Sequence, residues 1–511
     1  MENESAFPDG TLTLVARLFG ELNGRGIRYC HWKSTLGLPR ALAGQTDLDL
    51  LVDRLDADRF ALVLRELGFK PFISHVSRRF PAVEDHLGFD DESGRLVHLH
   101  VYYQLVLGEH YIKNHHLPLE RAFLDSSSIH QGVRIPPPAL ELMVLVLRTL
   151  LKYTDTDALK DALRLGHRGG LPADALGEVM ALRAQTDELQ LREMVACHLP
   201  GVPPELFVRF GRVVAANRRD VVALVSLRRA ARHALRPYER MGGMEARMRY
   251  AGARLSHSRT LRPLLRGHAR SNLRRKSPLA GGLTVAVLGP DGAGKTTIVD
   301  ELRGWLAWRL NMSVLYMGSA QPSANTRLLK STSKGIRAAD RALAKLAGRA
   351  GGHSPLSALA DLAMAMRYLG DAADRANRAT SGRRLASRGA VVVFDRYPLP
   401  GVTLEDRMVD GPRIAQLGTY STKGLLGRLR RREEAMYRSI PPPDHVILLS
   451  LPVEVALSRK ANRAPEAVAA KRQALAQADL ASDGLSVISV DASRPTDEVM
   501  RDVKAELWQR L

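Results

Sequence analysis

Residues 284–297 read TVAVLGPDGAGKTT, a stretch that leaves the surrounding chain few ways to fold. A β-branched apolar run breaks at Gly289 and Pro290, passes through Asp291, Gly292, Ala293 and Gly294, and reaches Lys295, Thr296 and Thr297. The order predicts strand, glycine loop, helix. Glycines at 289, 292 and 294 let the backbone curl so that successive N–H groups point inward, and with the positive end of the following helix such a loop holds phosphate oxygens. Lys295 adds a cation. Thr296 offers the hydroxyl that a phosphate-bound magnesium ion needs, so the segment meets the P-loop pattern G-x-x-x-x-G-K-[ST] in the context that pattern requires.

The remaining C-terminal sequence alternates strand and helix. A second strand at 313–316 ends at Gly318, and a polar, basic segment, expected to be mobile, follows to Gly352. Helical sequence from 356 to 387 leads into the apolar run 391–394, which suits a buried parallel strand. It ends in Asp395-Arg396-Tyr397. Residues just past the C-terminal end of a strand in an open α/β sheet face the ligand crevice, which is expected to set Asp395 and Arg396 beside the loop. A strand at 445–451 follows Pro441-Pro442-Pro443-Asp444, and from Pro452 a helix carries Arg459 and Arg463 on one face. The last strand, 485–490, gives way to Asp491-Ala492-Ser493-Arg494-Pro495 and a closing helix with Thr496 as its expected N-cap. Such alternation predicts an α/β fold with a doubly wound parallel sheet.

Length implies further domains. At 511 residues the chain suggests about three. An α+β domain is expected over 1–130, a helical domain over 135–235, a basic linker over 236–280 and the P-loop domain over 281–511. In the first, a helix at 12–22 precedes strands at 27–32, 46–53 and 96–102. Alternation on the second puts Asp47, Asp49 and Asp53 on one face, and the third presents His98 and His100 likewise. Neighbouring strands would bring four metal-capable side chains together.

The N-terminal residues Lys33-Ser34 and Gly44-Gln45-Thr46-Asp47-Leu48-Asp49 resemble the nucleotidyltransferase fold of antibiotic-modifying and tRNA-tailing enzymes, over roughly the first 125 residues. In that family a Gly-Ser pair opens the triphosphate loop, and a D-x-D pair with a third acid on a later strand holds two magnesium ions. The resemblance implies that Asp47 and Asp49 are metal ligands. Lys33 here replaces the glycine, and the later strand offers His98 and His100 where the third carboxylate is expected, a poorer set for magnesium.

From 282 onward, GPDGAGKTT, FDRY, PPDHVILLSLPVEVALSRKANR and VDASRPTDEV closely resemble thymidylate kinase and its nucleoside-monophosphate-kinase relatives. The resemblance implies that 289–297 bind the donor ATP with Mg2+ at Thr296, that Arg396 binds the acceptor's phosphate beside Asp395, that lid arginines Arg459 and Arg463 cover the transferring group, and that 492–495, with Arg494, line the adenine pocket. Arg375 lies near the family's second acceptor arginine. The family's R-E-P segment after the second strand is replaced by Met317-Gly318-Ser319, so the acceptor is expected to be a nucleoside monophosphate or a similar small phosphorylated molecule, thymidylate not being singled out. Two alternatives stay open: nucleotidyl transfer at Asp47 and Asp49, and a nucleotide-gated protein that binds an anionic partner.

Charge bears on the last of these. The net charge is +21, and residues 201–280 hold 19 Arg or Lys against 4 Asp or Glu, which points to an anionic partner such as nucleic acid or a membrane surface. Aromatic residues are 5% of the chain, too few for a stacking platform. The most apolar window, 139–151, carries Glu141 and Arg148 and is too short to cross a bilayer. Cys30 and Cys197 cannot make a disulfide framework and no secretory pattern opens the chain, so a reducing cytoplasm is expected. Oligomeric assembly is left open.

Overall fold

The computed structural model describes residues 7–109, 111–163, 171–216, 220–257, 275–346, 356–399, 402–404, 407–417, 424–459, 465–478, 480 and 484–511. The chain divides into two compact units, Met1–His268 and Ala269–Leu511. Among the described residues no helix is long and apolar enough to cross a membrane.

In the first unit, strands β1 (Tyr29–His31), β2 (Leu48–Val52), β3 (Lys70–Ile73), β4 (Val83–Asp90) and β5 (Arg95–Tyr102) lie in the order β1-β2-β5-β4-β3. β2 and β5 are parallel, with Asp49 opposite His100, and β4 runs antiparallel to β5 with Asp85 opposite the same histidine. The period of two then gives the sheet two different faces. Leu48, Leu50, Leu99 and Val101 pack under α1 (Thr13–Gly24) and α2 (Ala57–Glu66). Leu51 and Tyr102, with Cys30 and Trp32, join a cluster that runs through α3 (Pro138–Lys152), α4 (Ala173–Ala184), α5 (Glu188–His198), α6 (Pro204–Ala215) and α7 (Val221–Ala234). The expected separate helical domain therefore has no core of its own. Its helices bury the second face of the sheet, because α3 is apolar nearly all round and must be covered on every side. Part of the expected basic linker is helical too, as α8 (Gly243–His257), while 258–274 lie outside the described residues.

The second unit alternates β6 (Leu283–Leu288), α9 (Lys295–Ala307), β7 (Met312–Tyr316), α10 (Ala324–Leu346), α11 (Ser357–Ala386), β8 (Val391–Asp395), α12 (Gly424–Arg438), β9 (His445–Ser450), α13 (Val453–Arg459), α14 (Pro465–Gln477), β10 (Ser486–Asp491) and α15 (Thr496–Arg510). The strands are parallel in the order β7-β8-β6-β9-β10. β6 sits centrally and is buried along its length. Asp444, next to the three prolines, accepts hydrogen bonds from the Thr284 N–H and hydroxyl at 2.8 Å each, which aligns the starts of β6 and β9.

Two expectations change here. The basic segment after Gly318 is largely the helix α10, whose Leu, Lys, Arg and Ala content favours helix; the Ser323 hydroxyl accepts the Thr326 N–H at 3.3 Å as a cap. Thr496 is the first helical residue, and Pro495 holds the cap position without a side-chain bond.

Gly282 enters β6 where a Cβ would lie 2.2 Å from the Ala390 carbonyl oxygen and 2.5 Å from that of Ala386. Neither backbone atom can move without disturbing the start of β8 or the end of α11. Gly282→Ala is expected to destabilise this unit by roughly 1–3 kcal/mol and to lower its Tm by several degrees, as read by calorimetry.

Candidate functional site

The glycine loop between β6 and α9 closes around Asp291. Gly292 has φ +91° and Gly294 φ +79°, the left-handed region open to glycine. A Cβ on Gly292 would also stand 2.7 Å from the Ala456 carbonyl oxygen of α13. Lys295 is the first residue of α9 and only 8% exposed. Its ammonium folds back over the loop and donates to the carbonyls of Gly289, at 2.9 Å, and Pro290, at 2.7 Å. Asp291 Oδ1 lies 3.9 Å from Lys295 Nζ and 3.8 Å from Arg396 Nη2.

Arg396 is there because β8 pairs with β6 so that Asp395 is opposite Val287. It has φ +63°, which is unfavourable for a residue with a side chain. Tyr397 holds the turn: its ring packs on Phe394 and its hydroxyl donates to the Pro441 carbonyl. Lys295, Arg396 and Tyr397 border one small cavity together with Asp410 and Lys471. Lys471 Nζ is 3.3 Å from Asp410 Oδ2. No motif marks either residue in the sequence; Lys471 is one lysine on an ordinary helix until α14 packs beside the loop. Burial, and then the cations Lys471 and Arg396, lower the Lys295 ammonium to about 8 against the pull of Asp291 and Asp395.

Asp395 is 8% exposed, and its Oδ1 has no hydrogen-bond partner among the described residues. Burial raises its carboxyl above the ordinary aspartate range, opposed by Arg396 and Lys295. With the exposed hydroxyl of Thr296 at the start of α9, these oxygens are of the type magnesium takes. Three other expected arginines have partners of their own. Arg459 donates from Nη1 to the Ala492 carbonyl at 2.9 Å, which ties the end of α13 to the turn after β10. Arg494 pairs with Asp502. Arg463 lies outside the described residues. Arg375 is 2% exposed and holds the Met317 carbonyl, at 2.8 Å, and the Tyr437 hydroxyl, so its guanidinium is occupied in the interior.

The first unit has its own polar centre on the sheet face turned to α3. Asp49 Oδ1 lies 2.6 Å from Lys33 Nζ and 3.1 Å from His100 Nδ1. Tyr102 OH is 3.0 Å from the same histidine nitrogen and accepts from Lys113 Nζ at 3.1 Å. His98 sits between Asp47, 2.7 Å from Nδ1, and Asp85, 3.0 Å from Nε2. Sequence reasoning missed Asp85, because β4 lacks the alternation that marked β2 and β5. Asp53, expected beside Asp49, instead caps the next turn through Leu55 N and pairs with Arg28. Burial would raise the Asp49 carboxyl, but Lys33 and His100 more than offset it and hold the group well below the usual range. Burial lowers Lys113 to about 7 and His31 to about 4. The strands do bring the four expected side chains together, yet as hydrogen-bonded carboxylate–histidine pairs: among the described residues no group of three or more His, Cys, Asp or Glu is arranged to hold a metal ion.

No family model matches the chain. Among curated proteins it is 27% identical over 241 residues to a thymidylate kinase of Leifsonia xyli subsp. xyli, a match covering 45% of this chain and 96% of that one. A thymidylate kinase of Parasynechococcus marenigrum is 25% identical over 239 residues, 45% of this chain and 99% of the other. The uncharacterized ATP-binding protein YghS of Escherichia coli is 25% identical over 225 residues, 42% and 89% of the respective chains. This weak homology supports a P-loop kinase-like region, consistent with the parallel sheet and loop of the second unit.

Removing one partner of the Lys33–Asp49 pair strands a mostly buried charge. Lys33→Ala is therefore expected to destabilise the first unit by on the order of 3 kcal/mol, and Asp49→Asn added to it should restore part of that loss. A double-mutant cycle by urea unfolding measures the coupling, and additive losses would show that the pair contributes nothing.

Proposed function

We propose that the chain is an ATP- and magnesium-dependent phosphotransferase whose acceptor is a nucleoside monophosphate or a similar small phosphorylated molecule. The observation that carries this reading is the meeting of Lys295 and Arg396 across Asp291, at the C-terminal ends of β6 and β8, beside a loop whose glycines at 292 and 294 have positive φ. The homology to thymidylate kinases supports it.

In the transfer, an acceptor phosphate oxygen attacks the γ-phosphorus, the bond from that phosphorus to the β–γ bridging oxygen breaks, and ADP leaves with the electron pair. The chain's own residues bind and orient the two ends. Loop N–H groups and Lys295 hold the donor phosphates, Lys295 exchanging the Gly289 and Pro290 carbonyls for phosphate oxygens. Arg396, three-tenths exposed at its side chain, offers two parallel N–H donors to the acceptor phosphate. Asp395 and Thr296 would hold magnesium, which supplies neutralisation of the charge on the transferring group. Arg459 is assigned to the same developing charge, after release from Ala492.

A panel of nucleoside monophosphates, thymidylate among them, incubated with labelled ATP tests the reading, with Lys295→Ala as the inactive control. Absence of phosphorylated product from every acceptor would reject it. Arg396→Lys keeps the charge and loses the bidentate geometry. It is expected to lower acceptor-dependent transfer by roughly one to three orders of magnitude, about 1.4–4 kcal/mol, with ATP affinity unchanged in steady-state kinetics.

Lys295 also sets a pH dependence. In the free protein its ammonium is lowered to about 8, and phosphate oxygens favour the charged form. Below pH 8 the lysine is already protonated and binding takes up no proton there. Above it the free lysine is neutral and must gain one. ATP affinity is expected to fall by about tenfold per pH unit above 8, with uptake of about one proton at pH 9, read by titration calorimetry in buffers of different ionisation enthalpy. Lys295→Ala should abolish the uptake.

A further inference from the structure

The first unit holds a cleft of about 1060 Å³ lined by residues between Gly108 and Arg254. α7 forms one wall, α8 the other, and the segment around Gly108 and His115 the floor. Arg228, Arg229, Arg232, Arg236, Arg247 and Arg254 line it, against three carboxylates, Glu109, Asp155 and Glu239. Two arginines are engaged: Arg228 with Asp155 and the Tyr153 carbonyl, Arg232 with Glu109. Arg229, Arg236, Arg247 and Arg254 are exposed and make no ion pair among the described residues.

The cleft is held open by specific bonds. The Arg240 N–H donates to the Asn114 carbonyl at 2.7 Å, Met241 N to Asn114 Oδ1 at 2.9 Å, and Asn114 Nδ2 to the Met241 carbonyl at 3.1 Å. These fasten the start of α8 to the floor. Beside them His115 is 6% exposed, and among the described residues neither ring nitrogen has a hydrogen-bond partner; the Glu239 carboxylate is 4.0 Å away. Arg228, 5% exposed, likewise leaves its Nε unpartnered among the described residues. Burying polar nitrogens without partners is costly, and an anion seated in the cleft would accept from the Arg228 Nε–H and from whichever His115 ring nitrogen carries the proton.

We infer that this cleft binds a small molecule bearing two or more linked phosphates. The excess of guanidinium groups over carboxylates matches a ligand with several negative charges, and planar guanidinium pairs well with phosphate oxygens. Because the free arginines stand on both walls, a linked chain of phosphates reaches more of them than a single phosphate does. The volume is that of a small-molecule site. One tyrosine, Tyr250, lines the wall, and Tyr111 packs against it with ring centroids 6.2 Å apart, a single aromatic surface and too little for the stacking of a nucleic-acid strand.

The test uses the full chain carrying Lys295→Ala, which weakens the P-loop and so separates the two sites. Titration calorimetry with inorganic tripolyphosphate at physiological salt is expected to show saturable binding of about one per chain. Arg229→Ala, Arg236→Ala and Arg247→Ala together should weaken it by at least about tenfold, while the circular dichroism spectrum and Tm stay unchanged. In the chain with Lys295 intact, the same three substitutions should leave basal phosphoryl transfer unaltered. Tighter binding of ATP than of tripolyphosphate would identify a nucleotide that stacks on Tyr250, and equal binding an inorganic chain; either supports the site. No saturable binding, equal binding of orthophosphate, or affinity untouched by the three substitutions would overturn it. So would a single-stranded RNA that binds more tightly than tripolyphosphate and is lost in the triple variant.

Discussion

The parallel pairing of β8 with β6, Val287 opposite Asp395, is the constraint on which the surroundings of the glycine loop depend. Both strands are buried on both faces, so neither can slip without exposing apolar residues to polar neighbours. With the register held, the first charged residues after the apolar run of β8 emerge beside the loop. Arg396 then turns through a left-handed backbone conformation, held by Tyr397 between Phe394 and Pro441. Strain of this kind persists where neighbours over-determine it.

The two polar centres use charge differently. Around the loop, Lys295 and Arg396 stand 3.8 to 3.9 Å from Asp291, and the lysine rests on backbone carbonyls. Cations held so loosely can change partners when a stronger anion arrives. In the first unit, Asp49 and Lys33 are 2.6 Å apart beneath α3, and the Asp47–His98–Asp85 row closes on itself. Those carboxylates are committed to their neighbours.

The helices after residue 137 decide what the first unit is. α3 is too apolar to stand in water, and the sheet carries Leu51 and Tyr102 on the face that needs a cover. Each supplies what the other lacks, and one core results. α7 and α8 follow as the outer layer, where arginines face a cleft rather than a partner helix.

Much of the second unit was legible in its sequence, because buried parallel strands are continuous apolar runs and phosphate loops need glycine at set positions; the strands and the neighbourhood of Asp395 and Arg396 with the loop could be read from spacing. α10 was obscured by its charge, since a basic helix and a basic coil share a composition. In the first unit, period-two alternation revealed β2 and β5 but not β4, so Asp85 went unseen. What only the tertiary structure decided was pairing: Lys33 onto Asp49, Arg375 into the interior, Arg459 onto Ala492, Lys471 beside Lys295. Spacing along the chain determines local conformation and which face a side chain takes. Which distant group meets it there depends on packing, and so does whether a charge is left available or already neutralised.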